Sequence, residues 1–324
     1  MAGALAVDLG SSRTRVMTMS KTLLLDEPTL AAVEIGSGRL VSFGDRAALQ
    51  RGRSAGEVAI VRPVRRGQLQ DLALTDQICR LLLRRARDAG QGRPDVLCCV
   101  PAAATSVQRR ALERSFKEAG AKRIEFLEHA IACGMGARLR LDEPVASMVV
   151  DVGAATTDVA VMALGGVVTE ASIAVGGSDF DAAVRLLLER SFDLVIDRET
   201  AEVVKCTIGT AWQSTEEKVE VHGRSSANGE PRTVVLSRSE VATAMAEHVE
   251  SVVRACVGCI TSAPPDLAND LLSRGLHLAG RGGLLDGFSK RLAAAAGIPV
   301  HLVESPGLAA VTGAARCLKV LSEL

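Results

Sequence analysis

The sequence predicts an α/β protein of two lobes, because predicted strands alternate with amphipathic helices and one strand-turn-strand pattern occurs twice. The first copy, ALAVDLGSSRTRVMTM, covers residues 4–19, and the second, MVVDVGAATTDVAVMAL, covers residues 148–164. In each copy an apolar strand leads into Asp-x-Gly, then into small and hydroxyl residues, and then into a second strand. A third segment, HLAGRGGLLDGF at 277–288, joins an apolar strand to a glycine-rich turn and a helix. The repetition indicates that both lobes begin with the same hairpin.

The helices between these segments carry start and stop signals. Residues 105–119 place apolar side chains on one face and are followed by Gly120, which predicts a C-terminal cap. Ser178, followed by two aspartates, predicts the start of another helix. The segment 239–260 has the same one-sided apolar pattern. These signals complete the expected layers of strands and helices.

Glycine- and serine-rich stretches predict a small insertion at 51–57 and a hairpin turn at 223–231. Cys256 and Cys259 form a C-x-x-C within a predicted helix, and no second ligand pair accompanies them, so we expect no metal site there. The basic residues of the helix near residue 80 are expected to form a solvated face. They are Arg80, Arg84, Arg85 and Arg87.

Composition narrows the classes of function. The chain has 324 residues, of which 48% are apolar and 23% charged, as in globular proteins. Its 38 basic and 38 acidic residues balance, so no long-range field favours nucleic acid or anionic lipid. The N-terminus lacks the basic region of a signal peptide, and no apolar run approaches the roughly 20 residues that span a bilayer. We expect a cytoplasmic protein that does not bind nucleic acid.

The duplicated hairpin is suited to binding the phosphates of a nucleoside triphosphate. Phosphate oxygens need backbone N–H donors, and the charge of the β and γ phosphates needs a divalent cation, which proteins hold through carboxylates and waters. A tight turn with Gly10 or Gly153 exposes N–H groups, while Asp8 and Asp151 stand at the base of each turn. One Asp-x-Gly is most often an ordinary turn, but its duplication favours a phosphate clamp with a cation.

The glycine-rich segment 277–288 would supply a third contact. Its glycines allow a backbone to approach a ligand closely, as an adenosine resting on the turn requires. It is not the dinucleotide pattern G-x-G-x-x-G, because Leu285 stands at the last position. No G-K-[ST] occurs in the chain, so a Walker A phosphate loop is excluded.

The order VDLGSSRT, VDVGAATTD and HLAGRGG resembles the two phosphate motifs and the adenosine motif of the actin superfamily. Further segments resemble the MreB family of bacterial actin-like proteins nearly from end to end. These segments are DEPT at 26–29, VRPVRRGQLQDL at 61–72, VPAAATSVQRRALERSFKEAGA at 100–121 and RETAEVVK at 198–205.

This resemblance implies an actin-like, ribonuclease H-like duplicated fold with a nucleotide cleft between its lobes. Lobe I would cover 1–144 with a small insertion at about 28–68, and lobe II 145–324 with another at about 190–245. The implied cofactors are ATP and Mg²⁺, with Asp8 and Asp151 facing the metal. The implied nucleotide-binding residues are Gly10, Ser11, Ser12, Arg13, Gly153, Ala154, Ala155, Thr156, Thr157, Glu202, Lys205, Gly280, Arg281 and Gly282. The implied catalytic residues are Asp151, Thr156 and His129.

Three departures from the family pattern affect these expectations. Ala154 and Ala155 stand where MreB proteins usually have glycine, so we expect weaker binding or a reshaped loop, because an Ala methyl disfavours positive φ and crowds a phosphate. His129 stands where the family has a water-positioning glutamate. His129 either orients water when neutral or leaves hydrolysis slow or absent. The loop at 88–95 lacks large apolar residues, so direct membrane insertion is not expected.

The resemblance therefore implies an ATP-binding cytoskeletal protein that forms filaments of itself, with weak hydrolysis. Its implied role is to organise cell-wall synthesis or cell shape, with cell-wall synthesis proteins and membrane adaptors as partners and membrane association only through them. A non-catalytic, nucleotide-gated scaffold is the main alternative. A sugar kinase or phosphatase of the same superfamily is a further alternative, but the sequence shows neither an acceptor carboxylate nor large insertions around the cleft.

Overall fold

The computed structural model describes residues 3–52, 56–212 and 216–323, and residues 53–55 of the predicted insertion at 51–57 lie outside these ranges. The chain divides into two compact units, residues 1–140 with 308–324 and residues 141–307.

The first unit is built on a five-stranded sheet with the order β10-β9-β1-β2-β3. Strands β1 and β2 form the first predicted hairpin, and β9 and β10 extend it in parallel on the other side. A three-stranded sheet, β5-β4-β6, and a short β7-β8 hairpin follow β3. The strands are β1 (Ala4–Leu9), β2 (Arg13–Thr18), β3 (Leu23–Pro28), β4 (Ala31–Glu34), β5 (Leu40–Phe43), β6 (Val58–Val61), β7 (Val64–Arg65), β8 (Gln68–Leu69), β9 (Asp95–Val100) and β10 (Arg123–Glu128).

The helices of this unit begin where capping residues allow. They are α1 (Asp45–Leu49), α2 (Leu72–Asp88), α3 (Ser106–Ala119) and α4 (His129–Gly136). Helix α3 matches the predicted segment, because Thr105 and Gln108 form a capping box and Gly120 ends the helix at φ 103°. Leu5, Ile78 and Phe116 are fully buried between the sheet and these helices. Burial of this apolar face holds the first hairpin in place.

The second unit repeats the plan with the sheet order β13-β12-β11-β17-β18. A smaller sheet, β14-β15-β16, contains the predicted hairpin turn at 223–231. The strands are β11 (Ser147–Val152), β12 (Thr157–Ala163), β13 (Gly166–Ile173), β14 (Leu194–Val195), β15 (Lys218–Ser225), β16 (Pro231–Ser237), β17 (Leu276–Ala279) and β18 (Val300–Leu302). The helices are α5 (Gly177–Phe192), α6 (Arg198–Ile208), α7 (Arg238–Ser262), α8 (Pro265–Arg274) and α9 (Phe288–Ala296).

The start of α5 differs from the prediction at Ser178. The helix begins at Gly177, and the cap is Gly176, whose N–H donates to Asp179 Oδ2 at 2.9 Å. Glycine stands at this cap because of a close backbone contact described below. The core of the unit contains Phe180 and Phe288, whose rings meet edge to face at 6.5 Å.

The last helix, α10 (Ala309–Glu323), packs in the first unit, whereas the predicted lobe II extended to residue 324. Its apolar face is buried, and a Cβ on Gly313 would lie 1.7 Å from Ala132 O of α4. Arg316 Nη1 donates to Met135 O at 2.6 Å. The close approach of α10 and α4 is a tertiary contact that the order of the sequence does not reveal. The predicted lobe limits and insertions at 28–68 and 190–245 otherwise stay proposals.

Within the ranges that the structure describes, no helix is both long and apolar enough to cross a membrane.

Candidate functional site

The turn of the first hairpin is closed by a hydrogen bond from Gly10 N–H to Arg13 O at 3.1 Å. A Cβ on Gly10 would lie 2.9 Å from that same oxygen, which is why the turn requires glycine. The Ser11 hydroxyl accepts a hydrogen bond from Gly67 N–H at 3.0 Å, and Arg62 Nη1 donates to Ser11 O at 3.3 Å. The segment 62–67 therefore supports the turn, a contact that sequence reasoning missed.

Asp8 lies at the base of this turn and is buried. Its Oδ2 lies 3.1 Å from Arg15 Nη1, and its Oδ1 lies 3.3 Å from His129 Nε2. Burial raises the pKa of Asp8, but the hydrogen bond and charge of His129, followed by those of Arg15, outweigh burial and hold this pKa below its usual range. Asp8 is therefore an ionised carboxylate with a partner at each oxygen.

The Arg13 side chain is bonded to Asp26 on the neighbouring strand, β3. Its Nε donates to Asp26 Oδ1 at 2.6 Å, and Nη2 donates to Asp26 O. Arg15 Nε lies 3.3 Å from the same carboxylate. To contact phosphate as predicted, the Arg13 guanidinium would have to bind a phosphate oxygen while it still donates to Asp26. The contact of Arg13 with phosphate stays a prediction.

His129 is the first residue of α4 and directly follows β10. The preceding residue, Glu128, forms an ion pair with Arg109 at 3.0 Å. Residue 129 is thereby placed at the end of a sheet strand, next to Asp8 on β1. Within the first unit the structure thus brings together Asp8, His129 and the predicted turn.

The turn of the second hairpin has the same closure, from Gly153 N–H to Thr156 O at 2.9 Å, and a Cβ on Gly153 would lie 2.9 Å from that oxygen. The support differs from that of the first turn. Gly177 N–H and Ser178 N–H, at the start of α5, donate to Gly153 O and Ala154 O at 3.0 and 2.6 Å. The carbonyls of this turn therefore point toward the N-terminus of α5.

The orientation of those carbonyls fixes the orientation of the N–H groups. In a trans peptide the C=O and the following N–H point in opposite directions. Ala154 N–H and Ala155 N–H therefore point away from α5. Two adjacent N–H donors with one orientation are an arrangement that binds phosphate oxygens.

The two alanines cost this turn no backbone strain. Within the described ranges, the positive-φ residues other than glycine lie elsewhere in the chain. The expected weaker binding or reshaped loop at Ala154 and Ala155 stays a prediction. Close packing instead makes Gly176 necessary, because a Cβ there would lie 2.7 Å from Gly153 O and 2.8 Å from the Ala155 nitrogen.

Asp151 and Asp158 face each other across β11 and β12. Both are buried, and one carboxylate oxygen of each lies within 4.8 Å of one of the other. Asp158 was not among the predicted site residues. A signal was available, since it stands seven residues after Asp151, the same spacing as Arg15 after Asp8. Thr157 is buried beside this pair, and its hydroxyl donates to Val175 O at 2.8 Å.

Of the predicted residues of α6, Lys205 is partly buried and Glu202 is exposed. Lys205 Nζ lies 2.6 Å from Asp181 Oδ1 and 3.4 Å from Gly177 O, so α6 is tied to the start of α5. Burial raises the pKa of Asp181, and the charge of Lys205 opposes that rise. Lys205 thus lies beside the helix that supports the second turn.

The glycine-rich segment packs against the end of β11. Gly280 has φ 77°, and a Cβ there would lie 2.2 Å from Val152 O. A Cβ on Gly282 would lie 2.5 Å from Val152 Cγ1 and 3.2 Å from Gly153 O. These glycines therefore serve close packing on the second hairpin, in addition to any approach to a ligand. Arg281, between them, is exposed at the start of a 3₁₀ helix, Arg281–Leu284.

Comparisons with known proteins fit this geometry. The family model described as MreB/Mbl protein matches residues 2–324. The chain belongs to the MreB/Mbl family. It is 35% identical over 324 residues to the cell shape-determining protein MreB of Escherichia coli strain K12, covering 98% of this chain and 93% of that protein.

Two solved structures are similar to this chain in fold. MreB5 of Spiroplasma citri bound to ADP has a TM-score of 0.93 at 23% identity, covering 100% of this chain and 98% of that one. The MamK double helical filament has a TM-score of 0.83 at 20% identity, covering 98% and 99%. The predicted actin-like α/β fold and the membership in the MreB family are confirmed.

Proposed function

We propose that this MreB/Mbl protein binds ATP with Mg²⁺ and assembles with itself into filaments that organise cell-wall synthesis or cell shape. The observation that carries the proposal is the duplicated turn, in which Gly10 and Gly153 make the same closing hydrogen bond. The names of its relatives support it, since one is a cell shape-determining protein, one solved structure holds ADP and another is a filament.

In this proposal each unit contributes its turn to the phosphates. In the second unit, Ala154 N–H and Ala155 N–H are oriented away from α5 and donate to phosphate oxygens, with Thr156 beside them. In the first unit, the residues from Gly10 to Arg13 form the corresponding turn. The glycine-rich segment at 280–282 would receive the adenosine, and Glu202 and Lys205 would contact the nucleotide from α6. Backbone donors suit this task because they need no rearrangement to meet an anion.

The second unit has residues that fit Mg²⁺. Asp151 and Asp158 offer carboxylate oxygens, the ligands that Mg²⁺ prefers, and two of these oxygens lie within 4.8 Å of each other. When bound, Mg²⁺ offsets the charge of the β and γ phosphates. Asp8 fits this role less well, because both of its oxygens already contact other side chains.

We further propose that hydrolysis is slow. A water-positioning group must accept a hydrogen bond from the attacking water, and a neutral imidazole accepts through only one nitrogen. His129 Nε2 lies 3.3 Å from Asp8 Oδ1, so one ring nitrogen already faces a carboxylate. This contact also favours the second candidate, a nucleotide-gated scaffold without catalysis. Filaments would then persist in the ATP state.

The proposed partners are inferred from membership in the MreB/Mbl family and not from a surface of this chain. Cell-wall synthesis proteins and membrane adaptors are the proposed partners, and we do not propose direct membrane insertion. The segment between α2 and β9, at 89–94, exposes no large apolar side chain that could enter a bilayer.

The test is ATP binding by calorimetry, with polymerisation followed by pelleting and phosphate release measured in the same samples. Asp151→Ala should weaken binding of ATP in the presence of Mg²⁺ by about tenfold or more, because it removes one carboxylate from the proposed cation site. Glu247→Ala, which removes an exposed carboxylate of α7, is the control and should leave binding unchanged. No ATP binding by the wild type would refute the proposal.

Slow phosphate release by the wild type favours the first candidate, and no release favours the scaffold without catalysis, while a variant tests the role of His129. His129→Ala should change slow turnover by less than about threefold if His129 is not a working catalytic group, compared with the 10²- to 10⁴-fold typical of a general base. Loss of substantial wild-type turnover in this variant would instead make His129 a catalytic residue.

A further inference from the structure

The Arg15–Asp8 pair lies within the sheet of the first unit, directly behind the Gly10 turn. The two residues face each other across β1 and β2, and both are buried, with 9% and 6% of their surfaces exposed. Arg15 Nη1 lies 3.1 Å from Asp8 Oδ2, and Arg15 Nε lies 3.3 Å from Asp26 Oδ1 on β3. Arg15 is thus held between carboxylates of the two neighbouring strands.

The two arginines and the two aspartates on β1, β2 and β3 balance in charge, and His129 contacts Asp8 from the start of α4. Arg13 and Arg15 carry two positive charges, and Asp8 and Asp26 carry two negative charges, joined by contacts of 2.6, 3.1 and 3.3 Å. Removing the anion from a buried pair leaves an uncompensated charge, which is strongly unfavourable. If Asp8 turned to a divalent cation, Arg15 would keep only its contact with Asp26 at 3.3 Å.

The remaining oxygen of Asp8 is also engaged. Asp8 Oδ1 lies 3.3 Å from His129 Nε2 at the start of α4. Mg²⁺ demands near-octahedral oxygen coordination, so a carboxylate must present an oxygen to the ion or to one of its waters. Both oxygens of Asp8 are instead directed at nitrogen atoms of the protein. The expected magnesium role of this aspartate does not fit the arrangement.

We propose that Arg15 is a positioning residue that supplies, at Asp8, the positive charge which a divalent cation would otherwise supply. The inference rests on the proposed binding of ATP. Its consequence is that the first unit contributes to nucleotide binding without holding Mg²⁺. The dependence of ATP binding on Mg²⁺ then arises in the second unit, where the residue opposite Asp151 is an aspartate instead of an arginine.

The experiment compares ATP dissociation constants in EDTA and in saturating Mg²⁺ for the wild type and three variants. Arg15→Gln keeps an N–H donor for Asp8 but removes the charge, and Arg15→Lys keeps the charge. Arg85→Gln is the matched control, because Arg85 forms a partly buried ion pair with Glu27 at 2.7 Å in the same unit and does not contact Asp8. Thermal unfolding without nucleotide verifies that each variant is folded.

We divide the ATP dissociation constant in EDTA by the one in saturating Mg²⁺. We expect this ratio to rise at least about fivefold in Arg15→Gln, which is the lower end of typical coupling between two ligands. The negative charge of Asp8, no longer offset by Arg15, would repel the triphosphate in EDTA and attract the cation when Mg²⁺ is present. Arg15→Lys and Arg85→Gln should stay within about twofold of the wild-type ratio.

An unchanged ratio in Arg15→Gln overturns the inference. If that variant does not fold, Arg15→Met, which fills the space with a flexible apolar chain, replaces it. Failure of the wild type to bind ATP even with Mg²⁺ would instead overturn the proposed function.

Discussion

In the β1–β2 hairpin the residue opposite Asp8 is Arg15, whereas in the β11–β12 hairpin the residue opposite Asp151 is Asp158. The backbones of the two turns are otherwise alike, with closing hydrogen bonds of 3.1 and 2.9 Å. One hairpin therefore balances its buried charge internally, and the other places two carboxylates face to face. Duplicated backbone geometry does not imply duplicated chemistry, because a single cross-strand partner decides the charge of the site.

The turns also differ in what supports them. The first turn is held by the segment 62–67 through Ser11, and the second by the N-terminus of α5 through Gly153 O and Ala154 O. The N-terminus of a helix carries a partial positive charge and favours a nearby anion. The second turn therefore combines a helix start with oriented N–H donors.

The largest effect is expected at the support of the second turn. Gly176→Ala would place a Cβ 2.7 Å from Gly153 O and force backbone to move, so we expect the free energy of unfolding to fall by about 3 kcal/mol. Gly177→Ala is the matched control, because the nearest atom to its Cβ would be Lys205 Nζ at 3.7 Å. Urea denaturation of both variants measures the difference, and equal stabilities would show that the α5 contact does not support the turn.

An intermediate effect is expected at the first hairpin. Asp8→Asn leaves Arg15 with only Asp26, so we expect a loss of about 2 kcal/mol at pH 7, less than for a fully broken buried pair. The pKa of Asp8 is lower in the folded state, so its ionised form stabilises the fold above the unfolded-state pKa of about 3.9. This contribution is lost as the pH falls through the folded-state pKa.

The stability difference between wild type and Asp8→Asn should therefore begin to shrink below about pH 4, where the unfolded-state carboxylate gains its proton, and should close as the pH falls through the lower folded-state pKa. Denaturation curves between pH 3 and pH 7 measure this. Asp88→Asn, at an exposed carboxylate of α2, should shift stability by less than about 0.5 kcal/mol at every pH. A difference that persists unchanged to pH 3 would show that the Asp8 charge does not stabilise the first unit.

The smallest effect is expected within the second turn itself. Ala154→Gly removes a methyl group where the backbone needs no positive φ, so we expect a stability change of less than about 1 kcal/mol. ATP affinity should change by less than about twofold. In binding free energy this is only a fraction of the 1.4 kcal/mol that corresponds to a tenfold change. A large gain in ATP affinity would show that the alanine crowds the phosphate.

Local signals in the sequence predicted the elements that depend on nearby residues. Helix α3 follows from the one-sided apolar pattern of 105–119 and from Gly120, and the structure adds a capping box of Thr105 and Gln108 at its start. Both hairpins follow from the alternating strands around Gly10 and Gly153. The cap of α5 was predicted two residues late, at Ser178, because the observed cap at Gly176 is set by a contact with the turn at 153–155 rather than by a side-chain signal.

The sequence by itself determined the α/β class, the duplicated hairpins and the aspartates at their bases, because strand alternation and turn chemistry act over a few residues. Only the tertiary structure decided which groups those aspartates meet. Asp8 contacts His129, 121 positions away, and α10 packs on α4 although about 170 residues separate them. Such contacts are set by how sheets and helices bury their apolar faces together, and no local pattern encodes which distant residue is brought near.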